Sequence, residues 1–431
     1  MKKEEVWKSL VVFTILLSVV FTGCSKSSEE NEDGRIVLEM PHWFFGHGGT
    51  FEEWIDQAIQ EFEAQNPNIK INGVSIAYDD YWNRIDTSIA ANNAGDIMAF
   101  WSSNLGKYID SGAILPLDDY INMDDINNSW SPLQKDAVVG AAEDGKTYLL
   151  AINTGFYLPM YRPSVLEAAG VDPFATTPEE FIEMSKKLTK DGSFGFATMI
   201  QPGNWAEGQI DLAIWTIGMG GHYGQDGKPT LNSPEVIQAV EYLKALFDAG
   251  VIPKETDKGT YRKMMATGNV GTIIDGSWMY ALAESWDPSI EGDYEVAELP
   301  FPTQNVASFY EGLAVSSQSK HPEEAAKFIE FLGSPEQQKK LVDITGVMPG
   351  RNDIFEDEKF KDDLFAKWPW FEQFIEHADT AVSFVPEGMD TNKVPEMAKI
   401  WYSYFERVLY NNMDVTEAMN AAQEEALALF N

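Results

Sequence analysis

Apolar residues follow two spacings along the chain, one typical of helices and the other of buried strands. Between Phe51 and Phe62 they recur every three or four residues, and the Asn66-Pro67 pair that follows predicts the end of that helix. The short runs "IKINGVSI" and "DIMAFW", at 69–76 and 96–101, have the apolar character of strands. The pattern therefore predicts strands that alternate with helices from the start of the folded region.

Helix starts are marked by Ser or Thr followed by Pro. Thr177-Pro178, Ser233-Pro234 and Ser334-Pro335 each precede a run with helical spacing, and a hydroxyl N-cap before Pro at the first helical position is a typical start signal. Strands alternating with helices favour an α/β fold with parallel sheets covered by helices on both faces.

The N-terminal apolar run has a different meaning. "VVFTILLSVVFTGCSKSSEE" follows three lysines and is too short for a spanning helix, which needs about 20 apolar residues. These features predict a signal peptide over residues 1–23. Phe21 to Cys24 resembles the lipobox of bacterial lipoproteins, so Cys24 is the expected lipidation site and residues 24–34 a flexible tether. A chance cysteine or a buried free thiol is the alternative.

Composition restricts the partners. The 431 residues carry a formal charge of −37, which becomes −38 without residues 1–23, since these hold three Lys and two Glu. Such a surface repels nucleic acid and anionic lipid headgroups. The length and a 44% hydrophobic share fit two or more domains, or one large α/β unit. We expect a soluble body outside the cytoplasm.

Catalytic and cofactor motifs are weak. The stretch from Gly140 to Thr147 fits a phosphate-loop pattern, but acidic residues interrupt it and a strand-like run, not a helix, follows. The five histidines are dispersed without metal-ligand spacing. We therefore expect no enzyme, no cofactor and no metal site, although the many carboxylates leave a carbohydrate-cleaving enzyme open.

Aromatic residues follow predicted strands or lie in loops, where open parallel sheets bind their ligands. A flat ring with polar neighbours suits a sugar, whose C–H face stacks while its hydroxyls hydrogen-bond. The alternative is that these rings fill the core. The aromatic candidates are Trp43, Tyr81, Trp101, Trp205 and Trp278, and the polar candidates are Asn104, Asn153, Asp275 and Glu311.

Several segments together resemble a known family. They include "EFEAQNPNIKI", "AGDIMAFWSSNLGKYIDSGAILPLDDYI", "MMATGNVGTIIDGSW" and "KHPEEAAKFIEFLGSPEQQKKLVDITGVMPGR". In order and spacing they resemble the extracellular sugar-binding lipoproteins of ABC importers, the group that includes maltose-binding protein. The resemblance runs over nearly the whole chain after the signal peptide.

The resemblance implies a two-lobe periplasmic-binding-protein fold in which each lobe is a mostly parallel sheet flanked by helices. It implies an N-terminal lobe of residues 35–150 plus 311–350 and a C-terminal lobe of residues 151–310 plus 351–431. The hinge is then crossed near residues 151–155, 303–311 and 350–358, with the ligand in the cleft between the lobes.

The resemblance also implies site residues and partners. Trp101, Asn104 and Trp278 match positions that hold sugar in the family; the match extends to Trp43, Tyr81, Tyr157, Trp205, Glu311 and Arg351. The implied function is a monomeric, lipid-anchored receptor that delivers an oligosaccharide to membrane permease subunits. A different solute such as a polyamine, and a secreted carbohydrate-active enzyme, are the alternatives.

Overall fold

The computed structural model describes residues 34–430, except residues 47, 140, 141, 143, 191, 387 and 391 and the side chains of residues 79 and 136. The expected signal peptide, Cys24 and all but the last residue of the expected tether lie outside this range. Within it, no helix has both the length and the apolar character needed to cross a membrane.

The strands, in chain order, are β1 Ile36–His42, β2 Ile69–Ser75, β3 Ile97–Trp101, β4 Ile114–Leu115, β5 Leu150–Phe156, β6 Leu158–Tyr161, β7 Phe194–Ala197, β8 Gly224–Gln225, β9 Lys228–Pro229, β10 Val270–Asp275, β11 Glu295–Val296, β12 Val306–Ser316, β13 Met348–Pro349 and β14 Ala381–Ser383.

The helices are α1 Thr50–Gln65, α2 Tyr81–Ala90, α3 Leu105–Asp110, α4 Met123–Ser129, α5 Pro132–Val139, α6 Pro163–Ala168, α7 Pro178–Leu188, α8 Trp205–Gly218, α9 Pro234–Asp248, α10 Lys258–Ala266, α11 Met279–Trp286, α12 Pro322–Leu332, α13 Pro335–Thr345, α14 Glu358–Lys367, α15 Phe371–Glu376, α16 Val394–Asn411 and α17 Val415–Phe430.

The helix starts predicted from the sequence are confirmed. The hydroxyls of Thr177, Ser233 and Ser334 each accept a hydrogen bond from the backbone N–H three residues ahead, at the first turns of α7, α9 and α13. Each bond satisfies an N–H group that the helix itself leaves unpaired. The helix predicted from Phe51 to Phe62 is α1, which buries Trp54, Ile55, Ala58 and Phe62.

Two hydrophobic cores divide the described chain into two lobes. The first core lies beneath β1, β2 and β3 and is closed by α1, α12 and α13, with Trp54, Phe62 and Phe328 among its fully buried side chains. The second lies around β6, β7 and β10, where α8 and α16 contribute Trp215 and Trp401. The two-lobe α/β architecture predicted from the resemblance is confirmed.

Two antiparallel strands pass from one lobe to the other side by side. β5 contributes Leu150 to Ile152 to the first core and Phe156 to the second, while β12 contributes Val306 and Ala307 to the second and Leu313 to the first. β12 pairs with β5 along most of this crossing, with a register shift between Glu311 and Gly312. A Cβ atom on Gly312 would lie 2.3 Å from the carbonyl oxygen of Leu150, so the close pairing of the two strands requires glycine there.

The sheets themselves are mixed, and the prediction of mostly parallel sheets is corrected on this point. β1 with β2, β7 with β10, and β12 with β14 are parallel pairs. β12 runs antiparallel to β3, β4 and β5, and β6 runs antiparallel to β10 and β11. The antiparallel pairs arise largely because the chain returns through the hinge, which a repeated β–α pattern does not predict.

The segment that resembles a phosphate loop leads into a strand, as expected. Asp144 Oδ1 accepts a hydrogen bond from the Lys146 N–H, which closes a tight turn before β5. Lys146 Nζ lies 3.6 Å from Asp119, so its charge already has a carboxylate partner. Three residues of the motif, 140, 141 and 143, lie outside the described part.

Candidate functional site

Aromatic side chains of the first lobe form a continuous wall where β1, β2 and β3 end. The Trp43 ring, just after β1, meets Tyr78 edge-on with ring centres 5.5 Å apart. Tyr78 lies 6.1 Å from Trp101 at the end of β3, and Trp82 on α2 lies 5.0 Å from Trp101. The three tryptophans are only half-buried, so part of each side chain remains open to solvent.

Phe309 on the hinge strand β12 joins this wall to the second lobe. Its ring centre lies 5.6 Å from Trp101 and 5.9 Å from Trp278, so the two tryptophans approach one phenyl ring from different lobes. Tyr157 and Phe384 complete the second wall, with Tyr157 5.6 Å from Trp278 and 5.4 Å from Phe384. The strand-end tryptophans predicted from the sequence are thus brought together at the hinge.

Tyr78 shows that the gap between the lobes is narrow but open. Its side chain is 39% exposed, the largest exposure among the big apolar residues of the described chain. Surrounding protein nevertheless raises its pKa well above the usual value, and Glu207 and Tyr157 of the second lobe raise it further. The Tyr78 ring is therefore exposed to solvent and also close enough to Glu207 and Tyr157 of the second lobe for them to affect its pKa, which places it inside a cleft between the lobes.

Charged residues line the second wall in neutralising pairs. Lys258 Nζ lies 2.8 Å from Asp211 and 3.5 Å from Glu207. Burial alone would lower the pKa of Lys258, but Asp211, Tyr261, Glu207 and Tyr157 together outweigh it and the net pKa rises, so the residue stays charged. One turn further along α10, Arg262 donates from Nε and Nη2 to the two oxygens of Asp275, at 2.6 and 2.8 Å.

Asp275 supports the wall and does not reach the cleft. Its side chain is fully buried and its oxygens are occupied by Arg262 and by the N–H of Gly276. Burial raises the pKa of such a carboxyl, but Arg262, together with Lys258 and the Gly276 N–H, outweighs burial and the net pKa is lowered. The sequence-based expectation of a direct ligand contact is therefore corrected: Asp275 fixes Arg262, whose side chain is 17% exposed and whose Nη1 has no hydrogen-bond partner among the described residues.

Tyr81 and Arg351 are also structural in this arrangement. Tyr81 is fully buried, and its hydroxyl donates to the carbonyl of Ala99 and accepts from the same residue's N–H. Arg351 is 3% exposed and is held by Asp353 and Asp125 beneath the third lobe crossing. Both were expected to contact ligand, but their polar atoms are already used within the protein.

Glu311 forms the floor of the cleft beside Phe309. Its side chain is 12% exposed, and Oε1 lies 3.9 Å from Nε2 of buried His42. Burial raises the pKa of Glu311 to about 7, and the nearby Asn153 and Trp101 side chains offset part of that rise. Neither of these two makes a hydrogen bond of normal geometry to the carboxyl; the Trp101 Nε1–H is buried without a partner among the described residues.

The remaining sequence-predicted residues lie at different depths. Asn153, on β5, is buried directly opposite Glu311 in the register, and Tyr157, which follows the same strand, is also buried. Asn104 is half-buried and its Oδ1 accepts from the Trp101 N–H, which leaves its NH₂ group available. Trp205 is the half-buried first residue of α8, two residues before Glu207.

Sequence reasoning missed Tyr78, Phe309, Phe384 and Arg262, and did not select Trp82. Tyr78 and Trp82 are four residues apart, a spacing that places them on one side of the turn leading into α2. This spacing was a signal in the sequence that the two rings lie side by side. Arg262 carries no local signal, because its role depends on a partner 13 residues further along the chain on a different element.

A second concavity of about 920 Å³ lies on the other side of the hinge strand. It is bordered by Leu133 and Ala137 of α5 and by His222 and Ser383 of the second lobe. Tyr310, next to Phe309 on β12, faces this side and approaches Ser131 before α5. Because successive strand residues point to opposite faces, the aromatic cleft and this rear concavity are separated by β12.

Comparisons with known proteins agree with this architecture. Residues 57–367 match the model of a family described as bacterial extracellular solute-binding protein. An arabinooligosaccharide-binding protein of Bacillus subtilis is 24% identical over 375 residues, which cover 84% of each chain. A maltotriose-binding protein of Pyrococcus abyssi is 23% identical over 79% of this chain and 70% of its own.

Solved structures give the same fold. A solute-binding protein of an ABC transporter from Thermotoga lettingae, bound with α-D-tagatose, superposes with a TM-score of 0.79 at 22% sequence identity. The match covers 92% of this chain and all of that one.

Proposed function

Because this chain belongs to the family of bacterial extracellular solute-binding proteins, we propose that it captures an oligosaccharide between its lobes and delivers it to an ABC permease. The observation that carries this proposal is the aromatic surface contributed by both lobes, with Trp101 and Trp278 on either side of Phe309. Rings with one open face bind the C–H face of a sugar ring, and their polar edges leave the rim for hydrogen bonds.

In this proposal the first lobe supplies Trp43, Tyr78, Trp82 and Trp101, and the second supplies Tyr157 and Trp278. Asn104, Asn153, Trp205, Glu311 and Arg262 surround these rings and offer donors and acceptors for the hydroxyls. Because ligand contacts come from both lobes, binding favours the closed arrangement over the open one. An affinity near micromolar, about −8 kcal/mol, is sufficient for such a receptor.

The charges of the cleft favour an uncharged ligand. Lys258 and Arg262 are each neutralised by carboxylates within 3 Å, and Glu207 already faces Lys258. An anionic or cationic solute that paired with Lys258, Arg262 or their carboxylates would have to break these buried pairs, at a cost of several kcal/mol. A neutral sugar can bond the free Nη1 of Arg262 without disturbing the pairs.

The location of the protein follows from the family and the N-terminal sequence. We propose that cleavage after Gly23 leaves Cys24 lipidated, so that the monomeric body is held at the outer face of the cytoplasmic membrane by a short tether. We also retain the lobe boundaries proposed from the sequence, residues 35–150 plus 311–350 and residues 151–310 plus 351–431.

A thermal-shift screen tests the proposal. Arabinotriose, maltotriose and spermidine are added at concentrations far above micromolar, where a ligand at 100 times its Kd stabilises the folded state by about 2.7 kcal/mol. We expect at least one neutral oligosaccharide to raise the melting temperature and spermidine to leave it unchanged. Stabilisation by spermidine alone would reject the sugar assignment.

Chromatography of the same samples separates a receptor from an enzyme. A receptor leaves each oligosaccharide at its original length after prolonged incubation. Products of shorter length, formed in proportion to protein concentration, would reject transport capture and favour a carbohydrate-active enzyme.

A further inference from the structure

Glu311 occupies an unusual position for an acidic side chain. It lies on the hinge strand β12, directly opposite Trp101 of β3 and Asn153 of β5, at the register shift that precedes Gly312. It therefore lies on the crossing between the two cores, and 12% of its side chain is exposed.

The space behind Glu311 is apolar and dry. It is bounded by Phe44, Trp54, Ile152 and Leu332, with His42 at its edge, and it does not admit a water molecule. A carboxylate in this place loses hydration on one side and keeps it only toward the cleft. Burial of this kind disfavours the charged form of an acid.

No counter-charge compensates for this burial. His42 Nδ1 accepts a hydrogen bond from the Phe44 N–H, which places the ring proton on Nε2, the atom that faces Glu311. Burial lowers the pKa of His42 to about 3, so the ring is neutral at physiological pH. The other titratable neighbour is Tyr81 on α2, whose pKa burial raises.

Among the described residues, the side chains of Asn153 and Trp101 approach the carboxyl and offset part of the rise in its pKa, but neither carries a charge. Within that part of the chain no Lys or Arg forms an ion pair with Glu311. A partly buried acid that has only neutral groups beside it, and whose exposed edge faces the cleft, indicates a group whose charged form ligand binding can disfavour further.

We propose that Glu311 takes up a proton from solvent when ligand covers the cleft floor, and that the neutral carboxyl then donates a hydrogen bond to a ligand oxygen. The inference rests on the proposed function, since it requires a ligand with hydroxyl or ether oxygens. The pKa of about 7 means that both forms are present near neutral pH before binding. Covering the remaining exposed edge removes the water that stabilises the charged form, so binding and protonation favour each other.

Calorimetric titration with arabinotriose and maltotriose tests the coupling. At one pH near 7, titrations in two buffers with different ionisation enthalpies report the number of protons taken up. We expect proton uptake of about one half near pH 7, and an affinity that falls about tenfold per pH unit once the pH exceeds the pKa of the free protein. Affinity independent of pH, with no buffer dependence of the heat, would overturn the proposal.

Two variants assign the effect to this residue. Glu311→Gln keeps the shape and remains neutral, so its affinity should stay near the acidic wild-type value and should not change with pH. Glu323→Gln, on an exposed position at the start of α12, is the matched control and should keep the wild-type pH profile. If the affinity of Glu311→Gln still changed with pH as in the wild type, another group would be responsible for the pH dependence and the assignment to Glu311 would be rejected.

If Glu311→Gln folds poorly, the two-buffer titration of the wild-type protein still tests for proton uptake, because it requires no substitution. Failure of the proposed function is distinguishable as well. A protein that binds neither probe at any pH rejects oligosaccharide capture and the coupling together, whereas binding that is equally tight at every pH rejects the coupling alone.

Discussion

Replacing Trp101 with alanine separates a role in binding from a role in packing. Trp101 is half-buried and its ring meets three others, Tyr78, Trp82 and Phe309, with ring centres between 5.0 and 6.1 Å away. Loss of each of these ring–ring contacts costs about 0.5–1.5 kcal/mol of stability. Part of this loss is recovered because the neighbouring rings can relax into the open cleft. We expect a stability loss of about 1–3 kcal/mol, below the range of about 3–5 kcal/mol for a fully buried Trp→Ala change.

Trp101→Ala should also weaken ligand binding. Removal of an aromatic stacking platform costs about 1–3 kcal/mol of binding, which corresponds to an increase in Kd of about 5- to 150-fold. Trp278→Ala should show a similar loss of affinity from the opposite wall. Because Trp278 packs against both hydrophobic cores, its stability loss should exceed that of Trp101→Ala.

The assay pairs ligand titration with a denaturant midpoint on the same protein preparations. Trp54→Phe is the buried control: Trp54 is 1% exposed, its Nε1 donates to the Gln337 carbonyl at 3.3 Å, and its ring meets Phe44 and none of the tryptophans of the cleft. It should lower stability by about 1–2 kcal/mol and leave affinity unchanged. If Trp101→Ala and Trp278→Ala kept the wild-type affinity and lost stability as the control does, both residues would have a packing role and no role in binding.

Three further outcomes are expected. Arg262→Ala should lower the free energy of unfolding by about 3–5 kcal/mol at neutral pH by leaving the buried Asp275 unpaired, and Asp275→Ala added to it should restore part of that loss in the same denaturation experiment. Glu311→Gln should stabilise the ligand-free protein by up to about 3 kcal/mol above pH 7, because the pKa of Glu311 is about 7 in the folded protein and 4.5 ordinarily. This stabilisation should disappear near pH 4, where the wild-type carboxyl is protonated in both states. Equal stabilisation at both pH values would contradict the prediction. Cys24→Ala should abolish fatty-acid labelling of the cell-bound protein, and label retained by the variant would show that lipid is attached elsewhere.

Local patterns in the sequence predicted the individual elements well. The spacing from Phe51 to Phe62 defined α1, and the hydroxyl–proline pairs at Thr177, Ser233 and Ser334 located three helix starts to the residue. These features depend on neighbours within one turn, which the sequence displays directly. The strand ends also predicted that Trp101 and Trp278 would lie in one region, which the structure places on either side of Phe309.

Features that depend on distant partners were not predictable in this way. Tyr78, Tyr81 and Trp82 occupy one short segment, yet only the structure shows that Tyr81 turns into the core while its two neighbours face the cleft. The burial of Asp275 depends on Arg262, and the antiparallel hinge depends on β12 returning beside β5. In each case a tertiary contact decides between roles that the local sequence leaves equivalent.

The return of the chain through the hinge has a consequence for the order in which the protein is made. The first core needs Leu313 to Val315 from β12 and continues to Val347, so it cannot close until those residues have been synthesised. An N-terminal fragment that ends before β12 lacks the strand that pairs with both β3 and β5. Chains of this kind acquire their long-range contacts late, so the native first lobe is incomplete during most of synthesis. A nascent chain in that condition stays threadable through a narrow membrane channel, which suits a protein that completes its folding on the far side.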